Sequence, residues 1–239
     1  VAVGLNALVN STTAADNTAV GYAVMGANTT GDKNVAIGTY ALDANTTGSD
    51  IVAVGYGALG SNTTGNLNIA IGKNALSVNT TASSNTAVGA YALTTNTTGT
   101  RLTAVGFDAL KNNTGSFNTA VGSNCLTANT SGAQNVAVGD YTLNANTTAS
   151  FNTAIGQGAL LVNTTGSENV AVGTDALVTN TTATKNTAVG RQALLGNTTG
   201  PNAVAVGYRA LAGNTAGWNN VGIGYRALGS NTTASYSTA

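Results

Sequence analysis

Asn34-Val35-Ala36-Ile37-Gly38-Thr39-Tyr40-Ala41-Leu42-Asp43-Ala44-Asn45-Thr46-Thr47-Gly48 holds nearly every element that the rest of the chain repeats. The glycine that follows Ala-Val or Ala-Ile recurs at Gly4, Gly21, Gly38, Gly55, Gly72, Gly89, Gly106, Gly122, Gly139, Gly156, Gly173, Gly190, Gly207 and Gly224. Of the thirteen intervals, twelve are 17 residues and one is 16. The short interval runs from Gly106 to Gly122, where Asn113-Thr114-Gly115 replaces Asn-Thr-Thr-Gly, so the deletion falls in a turn, which absorbs it without disturbing strands.

Counted from its glycine as slot 1, each unit reads Gly-x-x-Ala-Leu-x-x-Asn-Thr-Thr-Gly-x-x-Asn-Thr-Ala-Val. Slot 17 is Val or Ile, slot 16 is Ala except at Gly222, and slot 15 is Thr, Val or Ile. A β-branched, small, β-branched alternation has the period of a strand. Slot 5 is Leu except at Met25, and slot 4 is Ala except at Val24, Cys125 and Thr142, which predicts a second, shorter strand. Helix is excluded because every unit carries poor helix formers and its apolar slots do not recur at 3.6 spacing. Seventeen residues suit a flattened coil of short strands and turns, with glycine at slots 1 and 11 supplying positive φ. The expected fold is therefore all-β, a parallel β-solenoid of about fourteen 17-residue coils, continuous over residues 1–239. The array begins and ends inside the pattern with no capping coil, which reads as an excerpt of a longer array.

Alternation places slots 15 and 17 on one strand face and slot 16 on the other. If the β-branched residues fill the interior, an alanine ladder faces outward: Ala19, Ala36, Ala53, Ala70, Ala87, Ala104, Ala120, Ala137, Ala154, Ala171, Ala188 and Ala205. If the alanines point inward, a Val/Ile/Thr ladder is exposed instead. Either arrangement leaves a long apolar strip outside, which argues for side-by-side assembly, with the alanine ladder as the candidate interface.

Composition removes several function classes. Eight Lys/Arg balance eight Asp/Glu, so nothing in the charge points to nucleic acid or an anionic membrane surface. No apolar run is long enough to insert into a membrane, and no signal peptide opens the chain. There is no His, and the single cysteine, Cys125, replaces a strand-side alanine and reads as a small apolar residue. No nucleophile with its base, acid/base pair or metal cage is present, so no enzymatic activity and no cofactor is expected.

The motif Asn-Thr-Ala-Val-Gly, in variants such as Asn34-Val35-Ala36-Ile37-Gly38 and Asn169-Val170-Ala171-Val172-Gly173, is followed by x-x-Ala-Leu. It resembles the head repeats of YadA-type trimeric autotransporter adhesins and the Asn-Thr-Ala-Val-Gly-Tyr-x-Ala-Leu…Asn-Thr-Thr-Gly arrays of phage and bacterial tail fibres. The resemblance covers the whole chain. It implies a left-handed β-roll, a trimer, an adhesive rod, and a place outside the cell, on its surface or in a virion fibre. The period departs from the family's usual 14, which bears on trimer geometry more than on the coil.

All sixteen charges lie in slots 2, 3, 6, 12 and 13, so the rod has decorated edges. Tyr22, Tyr40, Tyr56, Tyr91, Tyr141, Tyr208, Arg209, Tyr225 and Arg226 are the candidate edge contacts, suited to surface glycans or a host-surface protein. Sequons start at Asn28, Asn45, Asn62, Asn79, Asn96, Asn129, Asn146, Asn163, Asn180, Asn197 and Asn231, and also at Asn10 and Asn112. Glycans are one reading of them. Turn chemistry explains the same residues as an amide ladder between coils, and that reading is preferred. The expected function is a structural rod assembled with copies of itself. A self-assembling extracellular filament is the alternative, since uncapped ends can stack, and a threonine array that binds ice is the third reading.

Overall fold

The computed structural model describes Val1–Ala239 and divides into two compact units, Val1–Phe117 and Asn118–Ala239. The boundary follows the shortened Asn113-Thr114-Gly115 turn. Each unit is a parallel β-solenoid without helices. The first carries β1 (Ala2–Val3), β2 (Thr18–Val20), β3 (Val35–Ile37), β4 (Val52–Val54), β5 (Ile69–Ile71), β6 (Thr86–Val88) and β7 (Thr103–Val105). The second carries β8 (Thr119–Val121), β9 (Val136–Val138), β10 (Thr153–Ile155), β11 (Val170–Val172), β12 (Thr187–Val189), β13 (Val204–Val206) and β14 (Val221–Ile223). Successive strands pair in register, as in Val35↔Val52, Ala36↔Ala53 and Ile37↔Val54, or Val136↔Thr153, Ala137↔Ala154 and Val138↔Ile155.

Only slots 15–17 are strand. The second strand expected around slots 4 and 5 does not form, because this stretch is a run of turns. Its inter-coil bonding nevertheless continues. In the coil that starts at Gly38, the Tyr40 N–H donates back to the Tyr22 carbonyl at 3.1 Å and the Leu42 N–H donates forward to the Ala58 carbonyl at 2.9 Å. Such donors can point alternately up and down because the backbone is left-handed at slot 3 and again at slot 5, with φ of 59° at Tyr40 and 53° at Leu42. Slot 13 is the third such place, with φ of 57° at Asp50, whose N–H donates to the Asp32 carbonyl at 3.1 Å. Forty non-glycine residues adopt this conformation, and each costs roughly 1 kcal/mol for an L side chain. The axial hydrogen bonds that the geometry permits offset that cost.

Glycine is needed at slot 1, where φ lies at 123° for Gly38 and a Cβ would stand 2.9 Å from the Gly55 carbonyl carbon of the next coil. Slot 11 differs from expectation. Its φ is not positive, and Ala82, Ala149 and Ala183 occupy it while buried. Its carbonyl is the conserved feature of the geometry: Gly48 O accepts from Asn34 Nδ2 at 2.9 Å and from Asn45 Nδ2 at 3.0 Å.

The interior is thin. From Ala19 to Leu211 the slot-16 alanines, the slot-4 alanines and the slot-5 leucines are fully buried, and slots 16 and 5 face each other: a Cβ at Gly222 would lie 3.1 Å from Leu211 Cγ. A methyl opposite a leucine fills the gap, so a larger residue at slot 16 would overpack it.

Candidate assembly face and edge contacts

The alanine ladder proposed as an interface is inside the coil, which corrects the expectation. Ala19, Ala36, Ala53, Ala70, Ala87, Ala104, Ala120, Ala137, Ala154, Ala171, Ala188 and Ala205 are all 0% exposed. The other arrangement holds, with slots 15 and 17 pointing outward. Ile37, Ile71, Val121, Val136, Ile155 and Val189 are among the exposed large apolar residues, and Thr86, Thr103 and Thr153 are half-buried beside them. In-register parallel pairing aligns these side chains into two columns at strand spacing. No charged or aromatic residue interrupts the columns within β1–β7 or within β8–β14.

The sequon asparagines are structural. Asn28, Asn45, Asn62, Asn79, Asn96, Asn129, Asn146, Asn163, Asn180 and Asn197 are 0% exposed, so the folded coil has no room for a glycan on any of them. Their amides form a ladder, with Asn62 Nδ2 to Asn45 Oδ1 at 2.9 Å in the first unit and Asn163 Nδ2 to Asn146 Oδ1 at 3.0 Å in the second. Asn231 is half-buried and bonds the Ala234 carbonyl at 3.0 Å, whereas Asn10 and Asn112, one slot earlier in their units, are exposed. A second ladder runs through slot 14, where the Asn152 N–H donates to Asn135 Oδ1 at 3.0 Å and Asn152 Nδ2 reaches the Gly166 carbonyl at 3.0 Å. Asn79 Oδ1 and Asn186 Nδ2 are the buried ladder atoms without a partner; the paired amides stabilise the coil and penalise any slip of register.

The threonines at slots 9 and 10 separate in role. Slot 9 hydroxyls donate to the slot-9 carbonyl of the next coil, as Thr46 Oγ1 does to Thr63 O at 3.0 Å, while slot 10 is exposed at Thr47, Thr64 and Thr165. Slot 12 is less decorative than its variety suggests. Short polar side chains there accept the preceding coil's N–H, as Ser150 Oγ does from Ala133 at 3.0 Å and Ser167 Oγ from Ser150 at 3.1 Å.

The predicted edge residues lie on the turn side. Tyr22, Tyr40 and Tyr56 are exposed and meet edge to face, with centroids 5.5 and 6.0 Å apart. Tyr91 lies edge-on to Phe107 at 6.2 Å, with Lys73 and Lys111 amines 5.6 and 5.7 Å from its centroid. Tyr141 is exposed, and Tyr208 and Tyr225 stack at 5.4 Å beside Arg209 and Arg226. Phe107 and the Trp218–Tyr236 pair, at 4.5 Å, extend the aromatic set beyond those residues. Cys125 is buried, and burial above all pushes its thiol up to about 12, so the sulfur is inert at neutral pH. No group of three or more metal-ligating side chains is assembled, and no helix is long and apolar enough to cross a membrane. No family model matches the chain, and neither does any curated protein.

Proposed function

We propose that this chain is a non-enzymatic structural segment, the shaft of an extracellular adhesin or tail fibre, in which copies pack side by side through the outward columns of slots 15 and 17. The carrying observation is the contrast in outward residues: Val, Ile and Thr alone stand on the strand face, while charges and rings crowd the turns. A solvated strand face gains nothing from excluding Tyr, Lys or Arg, since aromatics favour strands and charges blunt association. A face that packs against a copy of itself requires their exclusion. The Asn-Thr-Ala-Val-Gly motif adds its resemblance to trimeric adhesin heads and tail-fibre arrays. Light scattering with negative-stain images of the purified protein tests the reading. A fixed mass of three chains is the expected result, polymers that grow with concentration would favour a matrix filament, and a single chain would sink the packed-face reading.

A further inference from the structure

On the turn side of the second unit, Arg209 and Arg226 occupy the same slot in successive coils. The backbone holds both in the left-handed conformation at φ 55°, tied by Arg209 N–H to Arg191 O at 3.1 Å and Arg226 N–H to Tyr208 O at 2.9 Å. They line a cavity of about 240 Å³ with Ala212, Gly213, Gly229 and Ser230. Neither arginine forms an ion pair. Asp175, an acid on the same edge, lies two coils before Arg209. Two guanidinium groups thus stand about one strand spacing apart at their backbones with their mutual repulsion unrelieved.

Beside them, Tyr208 and Tyr225 hold the preceding slot and stack with centroids 5.4 Å apart and planes inclined by 21°. Arginines with free donor forks call for a planar or tetrahedral oxyanion. Adjacent aromatic rings offer an apolar face to the C–H side of a pyranose. Gly213 and Gly229 add no side chain to the lining, and Ser230 supplies a hydroxyl that can donate or accept. We propose that this notch binds an acidic saccharide unit, with its carboxylate or sulfate between Arg209 and Arg226 and its ring against Tyr208 and Tyr225. The proposal deepens the edge-contact part of the shaft reading and rests on it only for the nature of the surface that carries the saccharide. It does not depend on assembly through the strand face.

Titration calorimetry tests it with a uronic-acid oligosaccharide, a sulfated oligosaccharide, a neutral oligosaccharide of equal length, and inorganic sulfate. One acidic saccharide is expected to bind and the neutral one not, and Arg209→Gln with Arg226→Gln is expected to weaken binding at least about tenfold. The variant should fold, because Gln192 already fills the same slot at φ 59°, and circular dichroism checks this. Tyr208→Ala separates sources: it should weaken the saccharide and leave sulfate unaffected. Absence of binding by both acidic saccharides, equal binding of the neutral one, sulfate as tight as the saccharides, or an unchanged affinity in the double arginine variant would each overturn the proposal. Light scattering on the same samples keeps its failure distinct from that of the shaft reading, since a three-chain particle that binds no acidic saccharide removes only the notch.

Discussion

The strand side and the turn side of each coil are held by the same kind of bond and decorated by opposite rules. On both sides, N–H and carbonyl groups reach the coils above and below, as Val35 N–H to Ile51 O at 2.8 Å and Leu42 N–H to Ala58 O at 2.9 Å show. On the strand side, regular extended backbone makes those bonds without strain, and the outward residues are confined to Val, Ile and Thr. On the turn side, alternating left-handed residues make them at a conformational cost, and the outward residues range over Tyr, Arg, Asp, Lys and Gln. The difference teaches that sheet-like axial bonding does not dictate surface composition. The restricted surface lies on the extended strand face, and the varied surface lies where the chain turns.

The sharpest way to break this comparison is to charge the inward strand position. Ala137→Asp with Ala154→Asp places two carboxylates in a sealed, apolar interior, at a cost of several kcal/mol each. Loss of cooperative folding in circular dichroism is expected, rather than a folded particle of lower mass. Next is the amide ladder: Asn146→Ala removes bonds to Asn129 Oδ1 and Ala149 O and takes from the Asn163 amide one of its two acceptors, leaving only the Gly166 carbonyl at 2.9 Å. A loss of about 2–4 kcal/mol in urea unfolding is expected, with each stranded buried group costing roughly 1–3 kcal/mol.

The turn side is probed by shape rather than polarity. Leu143→Ile keeps volume but puts a β-branched residue at φ 50°. It should cost about 2 kcal/mol or more, where an ordinary isosteric swap stays under about 1.5 kcal/mol. Ile155→Val on the outward strand face should change monomer stability by less than about 0.5 kcal/mol. Equal effects from the two would remove the left-handed turn from the explanation. The last effect is absent at neutral pH and local to one side chain. The folded Cys125 thiol titrates near 12, against 9.0 as its ordinary value. The folded state therefore holds the proton more tightly: the contribution is flat below pH 9 and declines as pH rises from 9 towards 12. Cys125→Ala should flatten the stability curve in that window relative to the parent chain.

Much of the coil was legible because its period is written in glycine and its strand in the Thr-Ala-Val alternation. The amide ladder was legible too, since Asn-Thr-Thr-Gly is turn chemistry repeated at coil spacing. Which face of the strand looks inward was not, because period 2 distinguishes two faces without ranking them. The deciding partner is Leu at slot 5, which leaves room for only a methyl opposite. The left-handed turns carried a signal that pattern reading of apolar residues passes over. Slots 3, 5 and 13 contain no Val, Ile or Thr in any unit, from Asn6, Leu8 and Asp16 to Arg226, Leu228 and Tyr236, in a chain otherwise rich in them. β-Branched residues are the ones that such φ values exclude. Reading slots 4 and 5 as a strand failed for that reason. The arginine notch was legible only as residue types, Tyr-Arg twice, since its cavity depends on Gly213 and Gly229 being brought beside it.

Thiol placement tests the outward strand face most directly. In a chain carrying Cys125→Ala, a thiol introduced by Val172→Cys should be protected from a bulky maleimide in the assembled protein and should cross-link chains on mild oxidation. One introduced by Thr165→Cys, on the exposed turn, should label at once and leave the chains uncrosslinked. Equal labelling rates at the two positions, with no cross-link through Val172→Cys, would contradict burial of the β-branched columns between copies of the chain.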